Sequence, residues 1–284
     1  MNQILQSKED KSINFIEEQL TGFLESRYVR KYPEYFNCYL SSQTGCNKGC
    51  KFCHLTATGQ TAFEDSDYQD FLNQALQVFR HYRRENQPAK AVHYAFMARG
   101  EALANKHLLR DAGPILLALA ALAREDGLLP KFNISTIMPS SLGSTELNDI
   151  FKIVTPTIYY SLYSVSEVFR KKWMPAAMPV HKALELLKEY QYQTKKIIKI
   201  HYAFIKDEND TRADVTNVLR RLEQVKLLYD FNIVRYNPFS PEQGEESENL
   251  SFIQDLIQEY CPGQVKLIPR VGTDVKASCG MFIQ

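Results

Sequence analysis

Three cysteines within eight residues, Cys46, Cys50 and Cys53, constrain this chain more than any other feature. Three residues separate the first pair and two the second. A loop with that spacing wraps its sulfurs around one face of a compact centre. A structural zinc site closes with four ligands, and an ordinary ferredoxin cluster also takes four thiolates. The other cysteines stand apart: Cys38 precedes the loop, and Cys261 and Cys279 lie far downstream. Spacing alone leaves two alternatives open. One is an iron–sulfur cluster on three thiolates, with one iron free for a small ligand. The other is a zinc knuckle completed by His54 or Cys38. Phe52, just before the last thiol, is expected to shield the centre from water.

The chain has 284 residues, 44% hydrophobic and 24% charged, enough for a sizeable core. No apolar run approaches the roughly 18 residues that a membrane span needs. The first dozen residues lack the basic start and apolar core of a secretory signal. Six cysteines with three clustered fit a reducing, cytoplasmic setting better than a secreted disulfide frame. The net charge is only +1, so composition gives no basic footprint for nucleic acid. Local basic groups stand at Arg27, Arg30 and Lys31, at Arg170 to Lys172, at Lys195, Lys196 and Lys199, and at Arg220 and Arg221. Trp173, the single tryptophan, reads as a packing residue or as a platform for a base.

Periodicity predicts a helix over 8–22, from the apolar stripe Ile13, Phe15, Ile16, Leu20 and Phe23. Two extended runs, 24–31 and 36–43, form a hairpin leading into the thiol loop. Beyond it helices and strands alternate: helices over 67–85, 111–125, 145–151, 181–192, 212–228 and 250–260, and strands over 92–97, 132–137, 157–162, 197–205, 231–236 and 264–269. Such alternation implies a parallel sheet with helices outside. The expected fold is α/β, a partial (β/α)6 TIM-like barrel. Residues 1–35 would form a helix-and-strand extension, and 36–284 the barrel with a C-terminal cysteine segment. Cys46, Gly100, Ser135, Ser161 and Asn237 all follow strands, where a barrel gathers its reactive loops at one mouth.

The thiol trio resembles the signature of radical S-adenosylmethionine (SAM) enzymes, in which three cysteines hold a [4Fe–4S] cluster whose open iron chelates SAM. Gly100-Glu101-Ala102 is similar to the glycine–glutamate–proline motif that holds the SAM amino group, with Ala102 in the proline position. Further segments carry a closer resemblance: Ser41 to Cys46, Phe96 to Glu101, Ile134 to Thr136, Ser161-Leu162, Asn209-Asp210, Asn237 to Phe239, and Asp274 to Gly280. Together, from about residue 24 onward, they resemble the radical SAM ribosomal RNA adenine methyltransferases, in a short form without the full N-terminal RNA-binding extension.

That resemblance implies a reaction at carbon 2 or carbon 8 of an adenine in ribosomal RNA or tRNA. Cys279 would take a methyl group from one SAM. A second SAM at the cluster would yield a radical that activates that methyl. A second cysteine, Cys38, would release the product by forming a disulfide with Cys279, and Glu25 would accept a proton. Ser135, Ser161, Leu162, Tyr163 and Asn237 would contact SAM beside Gly100 and Glu101. The implied partners are an RNA substrate and a reductant such as flavodoxin, with the chain a monomer and no membrane involved. Cys38 stands one residue further from Ser41 than the family's cysteine does, and in a strand one residue reverses the face; a bulge after Cys38 would restore it. The alternative function is the same radical chemistry on a protein, a nucleotide or another RNA.

Overall fold

The computed structural model describes residues 2–284. Its first elements are strands: β1 (Asn2–Gln6), β2 (Ile13–Glu18) and β3 (Phe23–Tyr32) pair antiparallel in sequence order. The helix expected over 8–22 is therefore absent. Ile13 and Phe15 satisfy a period of two, and Ile16, which breaks it, is buried on the other face of the strand. The strand sends Ile13 and Phe15 into the main core. It leaves Asn14 on the opposite face, where its amide reaches Glu25 Oε2 at 2.8 Å.

β4 (Tyr35–Tyr39) pairs antiparallel with β3 and parallel with the strand that follows, so it is the hinge between two sheet styles. Next come α1 (His54–Ala57), α2 (Tyr68–Tyr82), β5 (Ala91–Phe96), α3 (Lys106–Glu125), β6 (Leu129–Thr136), α4 (Leu147–Ile150), β7 (Thr157–Ser161), α5 (Glu167–Trp173), α6 (Val180–Thr194), β8 (Ile198–Tyr202), α7 (Arg212–Val225), β9 (Tyr229–Val234), α8 (Leu250–Tyr260) and β10 (Val265–Ile268). β4 to β10 form one parallel run in sequence order. This is the alternating α/β barrel expected, with the short helices α1 and α5 added and the hairpin in place as β3–β4.

The two faces of the parallel sheet differ in kind. Outward residues such as Phe36, Tyr94, Ile134, Tyr160, Ile200 and Ile233 are fully buried in the core under the helices. Inward residues are polar or aromatic: Tyr35 stacks on His93 at 4.2 Å, and Tyr159 meets His201 edge-on at 4.8 Å. Helix starts are fixed locally. Asp67 accepts from Gln69 N and Asp70 N at the head of α2, and Asn105 accepts from Leu108 N at the head of α3. Asn105 also donates to Ser66 O at 2.9 Å and to Ser42 O, which ties α3 to the segment entering the thiol loop.

β1 and β10 are the sheet's edges. The chain beyond β10 crosses back over the barrel mouth and is stitched to the β1–β2 turn. Ser7 Oγ and Lys8 N donate to Asp274, at 2.7 and 2.8 Å, and Gly272 N donates to Asp10 at 3.0 Å. The N-terminal strands thus serve as a platform for the segment that carries Cys279.

Candidate active site

The thiol loop runs from the end of β4 to α1. Gly45 begins it where no side chain fits, since a Cβ there would lie 2.1 Å from Ala62 O. Cys46 N donates to Gln60 O and Lys51 N to Trp173 O, which pins both limbs. Phe52 stacks on Tyr163 at 4.3 Å, with the rings 3° from parallel. Cys46, Cys50 and Cys53 line one cavity together with Gly100, Glu101, Ser135 and Ser161. Burial pushes the Cys46 thiol to about 12, Cys53 to about 11 and Cys50 well above its usual range. Thiols so placed ionise only against a positive centre. Among the described residues, no group of three or more His, Cys, Asp or Glu side chains closes around a single ion. The three thiols instead share the lining of one cavity.

Neither residue that would complete a zinc knuckle lines this cavity. His54 Nε2 lies 3.1 Å from Asn237 O, and its ring sits edge-on to Phe239. Cys38 lies on the helix-facing side of β4. The donor set lining the cavity is therefore three thiols with neither His54 nor Cys38 as a fourth, which fits a cluster bearing one open iron.

Gly100 ends β5's loop at φ 92°, with Ser42 Oγ and Gln43 N within 2.7 Å of where a Cβ would stand, so only glycine brings backbone this close to the cavity. The Glu101 carboxylate is buried and accepts from Leu103 N and Ile137 N, both at 3.1 Å. Burial pushes its pKa up, although Thr136 and those two amides hold it down in part. Ser135 and Ser161 share the cavity. Leu162 does not: its side chain is fully buried in the main core. Tyr163, at φ 55°, backs the thiol loop through Phe52. Trp173 is a packing residue, 1% exposed, whose indole N–H donates to Glu208 at 2.9 Å.

Cys279 lines a second cavity with Tyr39, Met97, Ser135, His201 and Asn237. Met97 and Ser135 line the thiol cavity as well, so the two adjoin. Asn237 Nδ2 donates to Cys279 O at 3.0 Å and His54 N to Gly280 O at 3.0 Å, fixing the backbone just after the sulfur's Cα. The residue is exposed by area, yet its thiol is crowded on the cavity side. That crowding pushes its pKa up, while Arg27 draws it down.

Cys38 is not brought to Cys279. It is fully buried among outward residues that include Phe36 and Tyr94, and burial pushes its thiol far up. The β4–β5 register runs unbroken from Tyr35↔Ala91 to Tyr39↔Ala95, so no bulge corrects the offset. Tyr39, one residue on, takes the inward position. Its pKa is pushed up to about 12 by burial and by Cys279 nearby. A disulfide between Cys38 and Cys279 has no support in this geometry.

Glu25 stands near the site but is not free. Its buried carboxylate receives Arg99 Nη1 and Arg27 Nη2, at 2.8 and 2.9 Å, besides the Asn14 amide. Burial pushes its pKa up, but the two guanidiniums outweigh this and hold it below the usual range. Sequence reasoning missed Tyr39, Arg27, Arg99 and Phe282. Arg99, a lone cation between Ala98 and Gly100 at the end of an apolar strand, was the one readable signal.

No family model matches the chain. A dual-specificity RNA methyltransferase RlmN of Solidesulfovibrio magneticus is 29% identical over 258 residues, covering 88% of this chain and 69% of that protein. A ribosomal RNA large subunit methyltransferase Cfr of Staphylococcus aureus is 28% identical over 258 residues, covering 86% and 68%. The chain is thus similar in sequence, over most of its length, to proteins named RlmN and Cfr. A radical SAM methyltransferase from Sphaerobacter thermophilus shares the fold, with a TM-score of 0.82 at 18% identity over 99% of this chain and 80% of that one. The chain spans about two thirds of the length of the relatives it matches. No helix among the described residues is long and apolar enough to cross a membrane.

Proposed function

We propose that this chain is a radical SAM methyltransferase acting on an adenine ring carbon, carbon 2 or carbon 8, of ribosomal RNA or tRNA. The observation that carries the reading is the shared wall of Met97 and Ser135 between the cavity of the three thiols and the cavity of Cys279. Cys46, Cys50 and Cys53 hold a [4Fe–4S] cluster. When bound, that cluster and SAM supply one-electron cleavage of a carbon–sulfur bond, which reaches ring carbons that are not nucleophilic.

The chain's own residues bind, orient and exclude water. Gly100 lets the backbone approach SAM, and the Glu101 carboxylate accepts from its ammonium group. Ser135 and Ser161 offer hydroxyls to the polar part of the same molecule. Phe52 and Tyr163, stacked behind the loop, keep water from the thiols. Asn237 sets the direction of Cys279, the methyl acceptor, through its carbonyl. Cys38 and a disulfide form no part of this proposal. The partners are an RNA substrate and a one-electron reductant such as flavodoxin, with the chain a monomer in the cytoplasm.

Anaerobic incubation with methyl-labelled SAM and total RNA, followed by nucleoside analysis, tests the reading. Label in a methyladenosine and on Cys279 is expected. Protein that forms neither 5′-deoxyadenosine nor methylcysteine overturns it. A net charge of +1 favours a second reading, the same centre on a protein or nucleotide. That reading gains if 5′-deoxyadenosine forms while every RNA stays unlabelled.

A further inference from the structure

Downstream of Cys279 the chain turns back over the thiol cavity. Phe282, 6% exposed, lines that cavity with Cys46, Cys50 and Cys53. Its ring lies 5.0 Å from the Arg27 guanidinium and 5.9 Å from that of Arg99. The backbone on either side is held from the same place. Arg27 Nη2 donates to Met281 O at 2.8 Å, Gln60 Nε2 donates to Ile283 O at 2.8 Å, and Ile283 N donates to Glu25 Oε1 at 3.2 Å.

Glu25 is the centre of this arrangement. Oε1 takes Arg99 Nη1 and Ile283 N, and Oε2 takes Arg27 Nη2 and Asn14 Nδ2. A carboxylate offers about four lone-pair sites, and here four N–H donors fill them. None is left for a substrate proton. Asn14 also donates to Val275 O at 3.2 Å, so the same group reaches the chain on both sides of Cys279. Arg27 and Arg99 are both buried, and without Glu25 two like charges would face each other away from water.

We infer that Glu25 is a positioning residue: through Arg27, Arg99 and Asn14 it clamps residues 275–283 over the barrel mouth, so that Phe282 closes the thiol cavity and Cys279 stays at its edge. This rests on the proposed function only in assigning a cluster to that cavity. The clamp itself is a property of the chain.

The test uses full-length, anaerobically purified protein and two readouts besides activity: the rate of Cys279 alkylation by iodoacetamide, followed by peptide mass spectrometry, and the rate at which cluster absorbance is lost in air. The variants are Glu25→Gln, which keeps shape and removes charge, and a chain ending at Gly280. Both are expected to raise each rate about tenfold or more, the scale of losing a hydrogen bond to a charged group. Glu25→Gln placed in the shortened chain should add nothing, because both changes act through one contact. Should Glu25→Gln fail to fold, the shortened chain, which leaves the buried charges intact, decides alone. Wild-type rates in the shortened chain overturn the inference. So does a Glu25→Gln protein that loses methyl transfer with both rates unchanged, the behaviour of a proton acceptor. The alkylation rate needs neither RNA nor SAM, so failure of the methylation experiment leaves this result standing.

Discussion

Two buried glutamates flank the same mouth and are treated in opposite ways. Glu25, under the returning chain, meets two guanidiniums, an amide and a backbone N–H. Glu101, on the far wall, meets two backbone N–H groups and the Thr136 hydroxyl. Burial raises the pKa of each, but only at Glu25 do cations reverse it. The difference separates a finished structure from an unfinished one. Glu25 is neutralised inside the protein and spends its charge on holding the chain. Among the described residues Glu101 has no ion pair, only the field of Lys48 on the same cavity lining, which under the proposed function leaves its carboxylate open to the ammonium of SAM.

The largest effect expected from this contrast is at Arg99, which is 0% exposed and ion-paired to Glu25 at 2.8 Å. Breaking a buried pair by removing one partner costs about 3–5 kcal/mol. Arg99→Met should lower the urea midpoint accordingly, because the Glu25 charge loses one of its two cations. A loss below about 1 kcal/mol, the range of exposed pairs, would show that the clamp is not electrostatic and would erase the contrast with Glu101.

Glu101→Gln should act on binding and spare the fold. Losing a charged hydrogen-bond acceptor weakens SAM binding about tenfold or more, read by equilibrium dialysis on cluster-loaded protein. Stability against pH then separates the two carboxylates by sign. Glu25 has its folded pKa below its usual 4.5, so its contribution is complete above that value and fades as pH falls beneath it. Glu101 has its folded pKa above 4.5, so ionising it costs stability as pH rises from there. In metal-free protein the gap between wild type and Glu25→Gln should narrow below pH 4.5. The gap to Glu101→Gln should have the opposite sign and open above it. Parallel curves for the two variants would sink the distinction.

The outward face of the barrel was legible because it obeys one rule at a time. Helices such as Tyr68–Tyr82 and Leu250–Tyr260 carry apolar stripes at one period, and strands such as Ala91–Phe96 are bounded by polar turns. The thiol loop stood out by its spacing, although spacing left a cluster and a zinc knuckle both open. What escaped was whatever depends on residues far apart in sequence. Asn14 is ambiguous until Glu25 and Val275 are beside it, and so Ile13–Glu18 reads as helix. Arg27 and Phe282 look like a surface cation and a stray apolar residue until the returning chain brings them to 5.0 Å. Glu25 carries no sign in the sequence that four donors converge on it.

The smallest effect concerns Cys38, and it sharpens the contrast between the two faces of one strand. Phe36 and Cys38 face α2, where Phe36 meets Phe79 and Tyr82 with centroids 5.8 and 4.6 Å apart. Tyr39 faces the cavity of Cys279. Removing one sulfur atom from the packed side costs about 1 kcal/mol, near the value of a buried methylene. Cys38→Ala should therefore lower the denaturation midpoint slightly while methyl transfer per cluster stays at the wild-type level. Tyr39→Cys should gain an alkylatable thiol, whereas Cys38 stays unlabelled in the folded protein. If Cys38→Ala instead stops turnover with methyl trapped on Cys279, the register of β4 must shift during reaction, because only a one-residue slip would bring that sulfur to the inner face.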